Sequence, residues 1–366
     1  HMSENHSWLQ SLGSGAVGLD PCDFVHLSHL GNIERRVTDR EAVSLQARYG
    51  GKGAGLIYIS FLGIPTRDGF IIPTVLPRMN LHKTESQRLD RQLMRHLRIL
   101  EEDIARNDGK ALRFGDPAAP LLLAVRGGSV FSMPGMLSTV VFAGMTDAVA
   151  EALACEDEWF AWDSFRRFLS SYAAAAWHMD LEELDLVEKA KQRYGVMLKI
   201  DLPGAAMREV VEASKEAIRA AGHAQHLDAI LIDAELQIKH AMRAVHRSWD
   251  ARRARDYRTI KHVSDCWHTA VIVQQMACGN RSNQEELKAG MDEMQISLTG
   301  VIPYTRISKM GFRTFTGDVK FSACGDDLVG GLTAARSFEP VQELRAQAPM
   351  LERKLNHISA RLRRFL

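Results

Sequence analysis

Apolar positions change period along this chain, and the changes mark out its elements. From Glu85 to Asn107, leucines at 89, 93, 97 and 100 and Ile104 recur every third or fourth position, which predicts a helix with one buried face. Ala42–Tyr49 also reads as helical. Phe70-Ile71-Ile72 closed by Pro73 reads as a short strand, and the unbroken apolar run Leu121–Val125 as a buried one. Residues 148–226 are rich in Ala, Glu, Arg and Trp and almost free of β-branched runs. They predict helices over 148–155, 158–178, 182–194 and 206–221. Further helices are expected over Leu227–Arg247 and Ala251–Ile260, with Ser248-Trp249-Asp250 capping the junction. Strands return at Thr269–Met276, Ile296–Tyr304 and Val319–Ala323, and one or two helices are expected over Pro340–Leu366. The expected fold class is therefore α/β, or α+β, with the mixed core interrupted by helices.

Two glycine clusters stand out against this background. Leu121–Val125 runs straight into Arg126-Gly127-Gly128-Ser129. A strand ending there delivers a fixed cation and exposed backbone N–H groups to one point, which is how an anion site is built. The following Ser132-Met133-Pro134-Gly135-Met136 is too dense in Met, Pro and Gly for helix or strand and is expected to be a shaped loop. About 75 residues earlier, Gly50-Gly51-Lys52-Gly53-Ala54-Gly55 offers close backbone approach and one lysine charge. It is not a Walker loop, because the lysine precedes two of the glycines. It is a poor dinucleotide fingerprint too, since a helix rather than a strand precedes it. Either cluster alone fits an ordinary turn or cap; together they point to phosphate handling.

Composition narrows this only slightly. With 46 basic and 45 acidic residues among 366, nothing favours a polyanionic partner. The local basic stretch Arg243–Arg258 and Arg361, Arg363 and Arg364 read as solvated helix faces. Cysteines at 22, 155, 266, 278 and 324 are odd in number and form no C-x-x-C, so a reducing, cytoplasmic setting is expected rather than disulfides or zinc. Cys278 and Cys324 are expected to be small buried hydrophobes. No apolar run approaches the ~18 residues of a membrane span. No signal peptide is read, and His1-Met2 looks like a cloning scar before a loose lead-in over residues 3–22. Histidines at 178, 240, 246, 262 and 268 share no ligand spacing and are read as surface or core residues.

Five ordered motifs then carry a resemblance. They are GGKGAGLIYISFLGIPTRDGFIIPT (50–74), VRGGSVFSMPGMLSTVVFAGMTD (125–147), AVHRSWDARRARDYR (244–258), TAVIVQQMACGN (269–280) and FSACGDDLVGGL (321–332). In this order they resemble the pyruvate phosphate dikinase family over roughly residues 40–366, most weakly in the helical stretch. The resemblance implies an ATP-grasp nucleotide-binding domain: 1–22 lead-in, 23–147 its first part, 148–226 a helical insert, 227–366 its second part. It implies an enzyme, a kinase that passes ATP phosphate to a histidine on a separate domain for phosphoenolpyruvate formation from pyruvate. Lys52, within Gly51-Lys52-Gly53, and Arg126 match the cations on the nucleotide phosphates. Gly127, Gly128, Ser132, Met133 and Gly135 match the loop over the transferring phosphate. The strand carrying Gln274 and Met276 matches the segment that presents backbone to adenine, in a slot formed by Ile272, Val273 and Met276. Asp326 falls at the ribose position, and Arg306 at the arginine of the family's F-T-R-N-P segment. Met133 and Met136 also read as simple loop packing.

Departures limit this implication. R-S-G-A of the family is Arg126-Gly127-Gly128-Ser129 here, F-T-R-N-P is Tyr304-Thr305-Arg306-Ile307-Ser308, and Arg281–Gln295 is a long polar stretch. The metal-binding acidic strand and the T-S-H-A phosphohistidine segment are not found in the sequence. The expectation is thus a portion of a larger enzyme, binding ATP, with magnesium and the phosphohistidine and phosphoenolpyruvate/pyruvate domains belonging to the full-length protein. No metal ligands are assigned in this chain, and no nucleic-acid or membrane partner is expected. The alternative is a non-catalytic module of the same fold that senses nucleotide or docks a partner, favoured by the altered Arg306–Met310 segment and the 281–295 stretch.

Overall fold

A computed structural model describes residues 24–30, 38–74 and 83–278, together with strands at 298–307, 313–321 and 336–338. The chain divides into two units, His1–Met276 and Ala277–Leu366. The first contains strands β1 (Val25–His26), β2 (Gly69–Ile72), β3 (Arg113–Phe114), β4 (Pro120–Leu121), β5 (Leu123–Ser129), β6 (Thr139–Ala143) and β7 (Thr269–Gln275). Five of them form one antiparallel sheet in the order β1-β2-β7-β5-β6. Strands β3 and β4 make a separate parallel pair. The architecture is therefore mixed helix and antiparallel sheet, the α+β form of the expected class.

The last strand of this unit in sequence is the middle strand of its sheet. Strand β7 pairs with β2 from Gly69↔Gln274 to Ile72↔Val271, and with β5 from Leu123↔Gln275 to Ser129↔Thr269. Ala270 and Ile272 pack against the first helix, α1 (Asp39–Phe61), through Leu45, Tyr49, Ile57 and Phe61. Alternation turns Val271 and Val273 to the other face, where they are equally buried. Burial on both faces explains why this strand reads as a continuous apolar run.

Helices α2 (Lys83–Asp108), α3 (Asp147–Glu156), α4 (Glu158–Ala176), α5 (Leu186–Tyr194), α6 (Gly204–Ile218), α7 (Ala224–Ile232), α8 (Ala234–Arg247) and α9 (Arg252–Ile260) complete the unit. In α2 the expected stripe is realised, with Leu93, Leu97, Leu100 and Ile104 all buried. The helix expected over Leu227–Arg247 is in fact two. Asp233 interrupts it because its carboxylate accepts from the Leu236 N–H and starts α8 as an N-cap. Gln237, fully buried, ties this helix to the sheet: its Oε1 accepts from the Gly144 N–H at 2.8 Å, and its Nε2 donates to the carbonyls of Met145 and Ile230. Helix α4 packs on β6 and α6 and buries Phe160, Phe165, Phe168 and Tyr172. Among the described residues no helix is long and apolar enough to cross a membrane.

The glycine clusters depart from expectation in conformation. Residues 50–55 do not form an open loop: α1 runs through them, and only Gly50 leaves helical geometry, at φ 69° and ψ 169°. Arg126–Ser129 are the last four residues of β5, so the strand ends there as expected, but all four pair with β7 instead of leaving their main chain free on that side. Local glycine content is read as a break, yet a single turn residue suffices when both flanks are held by tertiary contacts.

In the second unit, β8 (Leu298–Ile307), β9 (Arg313–Phe321) and β10 (Arg336–Phe338) form an antiparallel sheet in the order β10-β9-β8. The pairing of β8 shifts between Val301 and Tyr304, where Pro303 has no N–H to give the ladder. The strand expected over 296–304 is thus longer, and the one expected over 319–323 is the end of a hairpin arm. The lead-in over 3–22, the 281–295 stretch and the expected helices over 340–366 lie outside the described residues.

The contact at Gly50 has a measurable consequence. A Cβ there would lie 1.7 Å from the Gly128 carbonyl oxygen at an unfavourable positive φ. Gly50→Ala is expected to lose about 3 kcal/mol or more in urea unfolding. Gly55→Ala, helical and with nothing within 4 Å, is expected to gain about 0.5–1 kcal/mol in the same assay. The buried charge cluster in α4 gives a second test. Asp163, fully buried, is bound by Arg166, Arg167 and Lys199; burial opposes its ionisation, but these three cations hold its carboxyl well below the usual range. Asp163→Asn leaves Arg167 buried without its counter-charge and should cost about 3–5 kcal/mol on urea unfolding.

Candidate functional site

The fold brings the two glycine clusters face to face. Gly50 lies on the Gly128–Ser129 backbone, Gly51 sits near the carbonyls of Ser129 and Val130, and a Cβ on Gly128 would be 3.4 Å from the Lys52 Cβ and 3.8 Å from the Gly53 nitrogen. At Gly50 only a residue without a side chain allows the helix and the strand to approach this closely. Gly51, Lys52 and Gly53 occupy the first turn after the kink, the place where a helix ordinarily leaves backbone N–H groups without helical partners. Lys52 and Arg126 consequently stand close together beside the glycine main chain.

These two cations have no counter-anion among the described residues. Arg126 donates from Nη2 to Gln274 Oε1, while its Nε is buried without an acceptor. Gln274 is itself held by its Nε2 donating to the Arg67 carbonyl at 2.9 Å. The amide thus orients the guanidinium and leaves its charge uncancelled. Burial lowers the Arg126 pKa. Lys52 keeps much of its surface in water, yet enough protein surrounds its ammonium that desolvation, and then the Arg126 charge, lower its pKa as well. Two like charges held together in this way favour an anion between them.

The loop after β5 is anchored from three sides. Gln46 donates to the Val130 carbonyl at 2.9 Å, Met133 is buried against Trp249 and Ala254, and Phe131 meets Trp267 edge-on at 6.1 Å. Ser132 and Gly135 stay exposed, with Gly135 at φ 70°. Met133 therefore has a packing role, with its side chain turned into the protein. Trp249, Trp267 and Gln46 went unrecognised in the sequence, since nothing in local spacing ties them to this loop. Arg258 corrects the reading of its basic stretch as a solvated face: it is buried, stacks 4.1 Å over the Trp249 ring and pairs with Asp265. Cys278 is only half-buried, not the buried hydrophobe expected.

The other expected site residues lie on or directly after β7, on β8 or outside the described residues. The main chain of β7 is paired on both sides, and the Met276 N–H donates to the Leu122 carbonyl at 2.9 Å. An unpaired backbone edge within 272–275 is therefore not present, because β7 is central rather than marginal in the sheet. Ile272 and Val273 are fully buried in the core. Arg306 lies in β8 of the second unit opposite Thr314, and Asp326 lies outside the described residues.

Fold and site together define a mixed α+β unit with a cationic niche where a kinked helix meets a glycine strand. No protein-family profile matches the chain. Individual curated relatives do. It is 34% identical over 294 residues to a pyruvate, phosphate dikinase of Rickettsia bellii, covering 79% of this chain and 31% of that protein. It is 34% identical over 311 residues to the chloroplastic pyruvate, phosphate dikinase of Mesembryanthemum crystallinum, covering 83% and 30%. To that of Clostridium symbiosum it is 31% identical over 311 residues, covering 84% and 33%. Over this partial region the chain belongs to the pyruvate, phosphate dikinase family, and it spans about a third of the length of the curated relatives it matches.

The proximity of the two cations is directly measurable. In an NMR titration of methyl-labelled lysines, Lys52 should titrate below the other lysines, and Arg126→Gln should move its midpoint upward. An unchanged midpoint in that variant means the two charges do not interact.

Proposed function

We propose that this chain is the ATP-binding portion of a pyruvate, phosphate dikinase-like phosphotransferase with an ATP-grasp arrangement. The observation that carries this reading is the pairing of Lys52 with Arg126, uncompensated, over a glycine-lined backbone junction. Phosphoryl transfer asks a protein mainly to position the phosphates and neutralise their charge. Lys52 supplies a mobile point charge and Arg126 a planar fork whose orientation Gln274 fixes. The buried, unpartnered Nε of Arg126 fits an oxygen acceptor from a phosphate. Gly51, Gly53, Gly127 and Gly128 permit close main-chain approach, and exposed Ser132 and Gly135 sit on the loop that would cover the phosphates.

ATP, when bound, supplies the phosphoryl group; the chain's own residues bind, orient and neutralise it. Its acceptor in this reading is a histidine on a separate domain, which then serves phosphoenolpyruvate formation from pyruvate. Magnesium, implied by the resemblance, finds no cluster of His, Cys, Asp or Glu among the described residues. The roles given to Lys52 and Arg126 do not depend on it. Gln274 is assigned to orienting Arg126 rather than to adenine, and Met133 to holding the loop.

Calorimetry with ATP tests the assignment. Lys52→Ala and Arg126→Ala should each abolish measurable binding, a loss of roughly tenfold or more in affinity per charged contact. Urea unfolding of the same variants separates lost binding from lost fold. If both folded variants bind ATP like the parent, the site lies elsewhere.

A further inference from the structure

A second concave site lies on the helical side of the first unit and shares no residue with the niche at Lys52 and Arg126. The C-terminal end of α4, helix α7 and helix α8 enclose a cleft of about 420 Å³ lined by Ala176, Trp177, His226, His240, Arg243 and Arg247. The direction of hydrogen bonding can be followed through it. An indole N–H only donates, so Trp177 Nε1, 3.3 Å from His226 Nδ1, makes that nitrogen an acceptor. The proton of neutral His226 is then on Nε2, which lies 2.6 Å from His240 Nδ1 and donates to it. His240 in turn carries its proton on Nε2, for which no protein acceptor exists among the described residues. Both rings are neutral near pH 7. Burial first, then the charges of neighbouring histidines and arginines, lower both, His240 to about 4.

Charge in the cleft has one sign. His240, Arg243 and Arg247 fall on one face of α8. Arg243 is neutralised by Asp90, whose two carboxylate oxygens lie 2.5 and 2.7 Å away, and it also donates to Ser86 Oγ. Arg247 is exposed and has no carboxylate partner among the described residues. The carbonyl ends of α4 and α8 add partial negative charge of about half a unit each, spread over their last turns, so one sign holds only for the side-chain charges. No carboxylate lines the cleft.

We propose that this cleft binds a small oxyanion, a phosphate- or carboxylate-bearing molecule of metabolite size. Arg247 supplies the charge and the Nε2–H of His240 a donor oriented by the Trp177–His226 relay. This inference is independent of the nucleotide reading.

The Trp177 indole N–H resonance, identified with Trp177→Phe, reports on the relay in the full chain. Titration with inorganic phosphate or with acetate should shift it saturably. Saturation by phosphate alone marks a phosphoryl ligand, and by acetate alone a carboxylate. Arg247→Gln, at an exposed position, should weaken the response roughly tenfold, and His240→Gln should weaken it less. The shift should persist in Lys52→Ala, which separates this cleft from the phosphate niche. The proposal is overturned if neither anion saturates the signal, if Arg247→Gln responds like the parent, or if Lys52→Ala removes the shift.

Discussion

Much of the first unit depends on one backbone contact, that of Gly50 on the Gly128 carbonyl. A helix and a strand normally keep side chains between them, and two residues without Cβ remove that spacer. The same contact turns α1 at its kink, lays Tyr49 and Ile57 on the sheet, and starts a fresh helical turn at the edge of β5. Lys52 and Arg126 become neighbours as a geometric result. A larger residue at Gly50 would push α1 off the Gly128 carbonyl and separate the charges.

Electrostatics divides the buried charges of this unit into two kinds. Asp163 is surrounded by Arg166, Arg167 and Lys199, so charge introduced into the protein is cancelled within it. Arg126 is half-buried, with its Nε wholly buried, and receives only a neutral amide from Gln274. A fold has no structural reason to bury a guanidinium without a counter-charge, because desolvation is then uncompensated. That contrast supports reading the Lys52–Arg126 niche as a place prepared for an anion. Arg258 belongs with the first kind, its charge met by Asp265 and by the face of Trp249.

Helix α2 was legible from its residues because leucines at 93, 97 and 100 repeat on one helical face, a property of neighbours in sequence. The strand Thr269–Gln275 was legible as a strand, but not as the centre of the sheet. Its apolar run states that both faces are covered and says nothing about which strands lie beside it. For that reason the pairing of 272–275 on both sides could not be read from the run itself. Asp233 illustrates the opposite limit: it cut the expected helix 227–247 in two through a cap that composition alone does not distinguish from a solvent-facing acid. In sequence His240 reads as a surface or core residue and His226 is not singled out, because one belongs to α8 and the other to α7, and they meet only through the turn at Asp233.

The sequence by itself determined the class of fold, most helices and strands, and the two glycine-cation clusters whose ordered companions mark the family. These follow from periodicity, turn chemistry and residue type over a few positions, which act before any long-range contact forms. Only the tertiary structure decided that β7 is central, that Gly50 is a single kink within a helix, and that Lys52 and Arg126 share one niche with Gln274 behind them. Such facts depend on pairings between segments up to about two hundred residues apart, whose partners are chosen by packing and ladder register rather than by local preference.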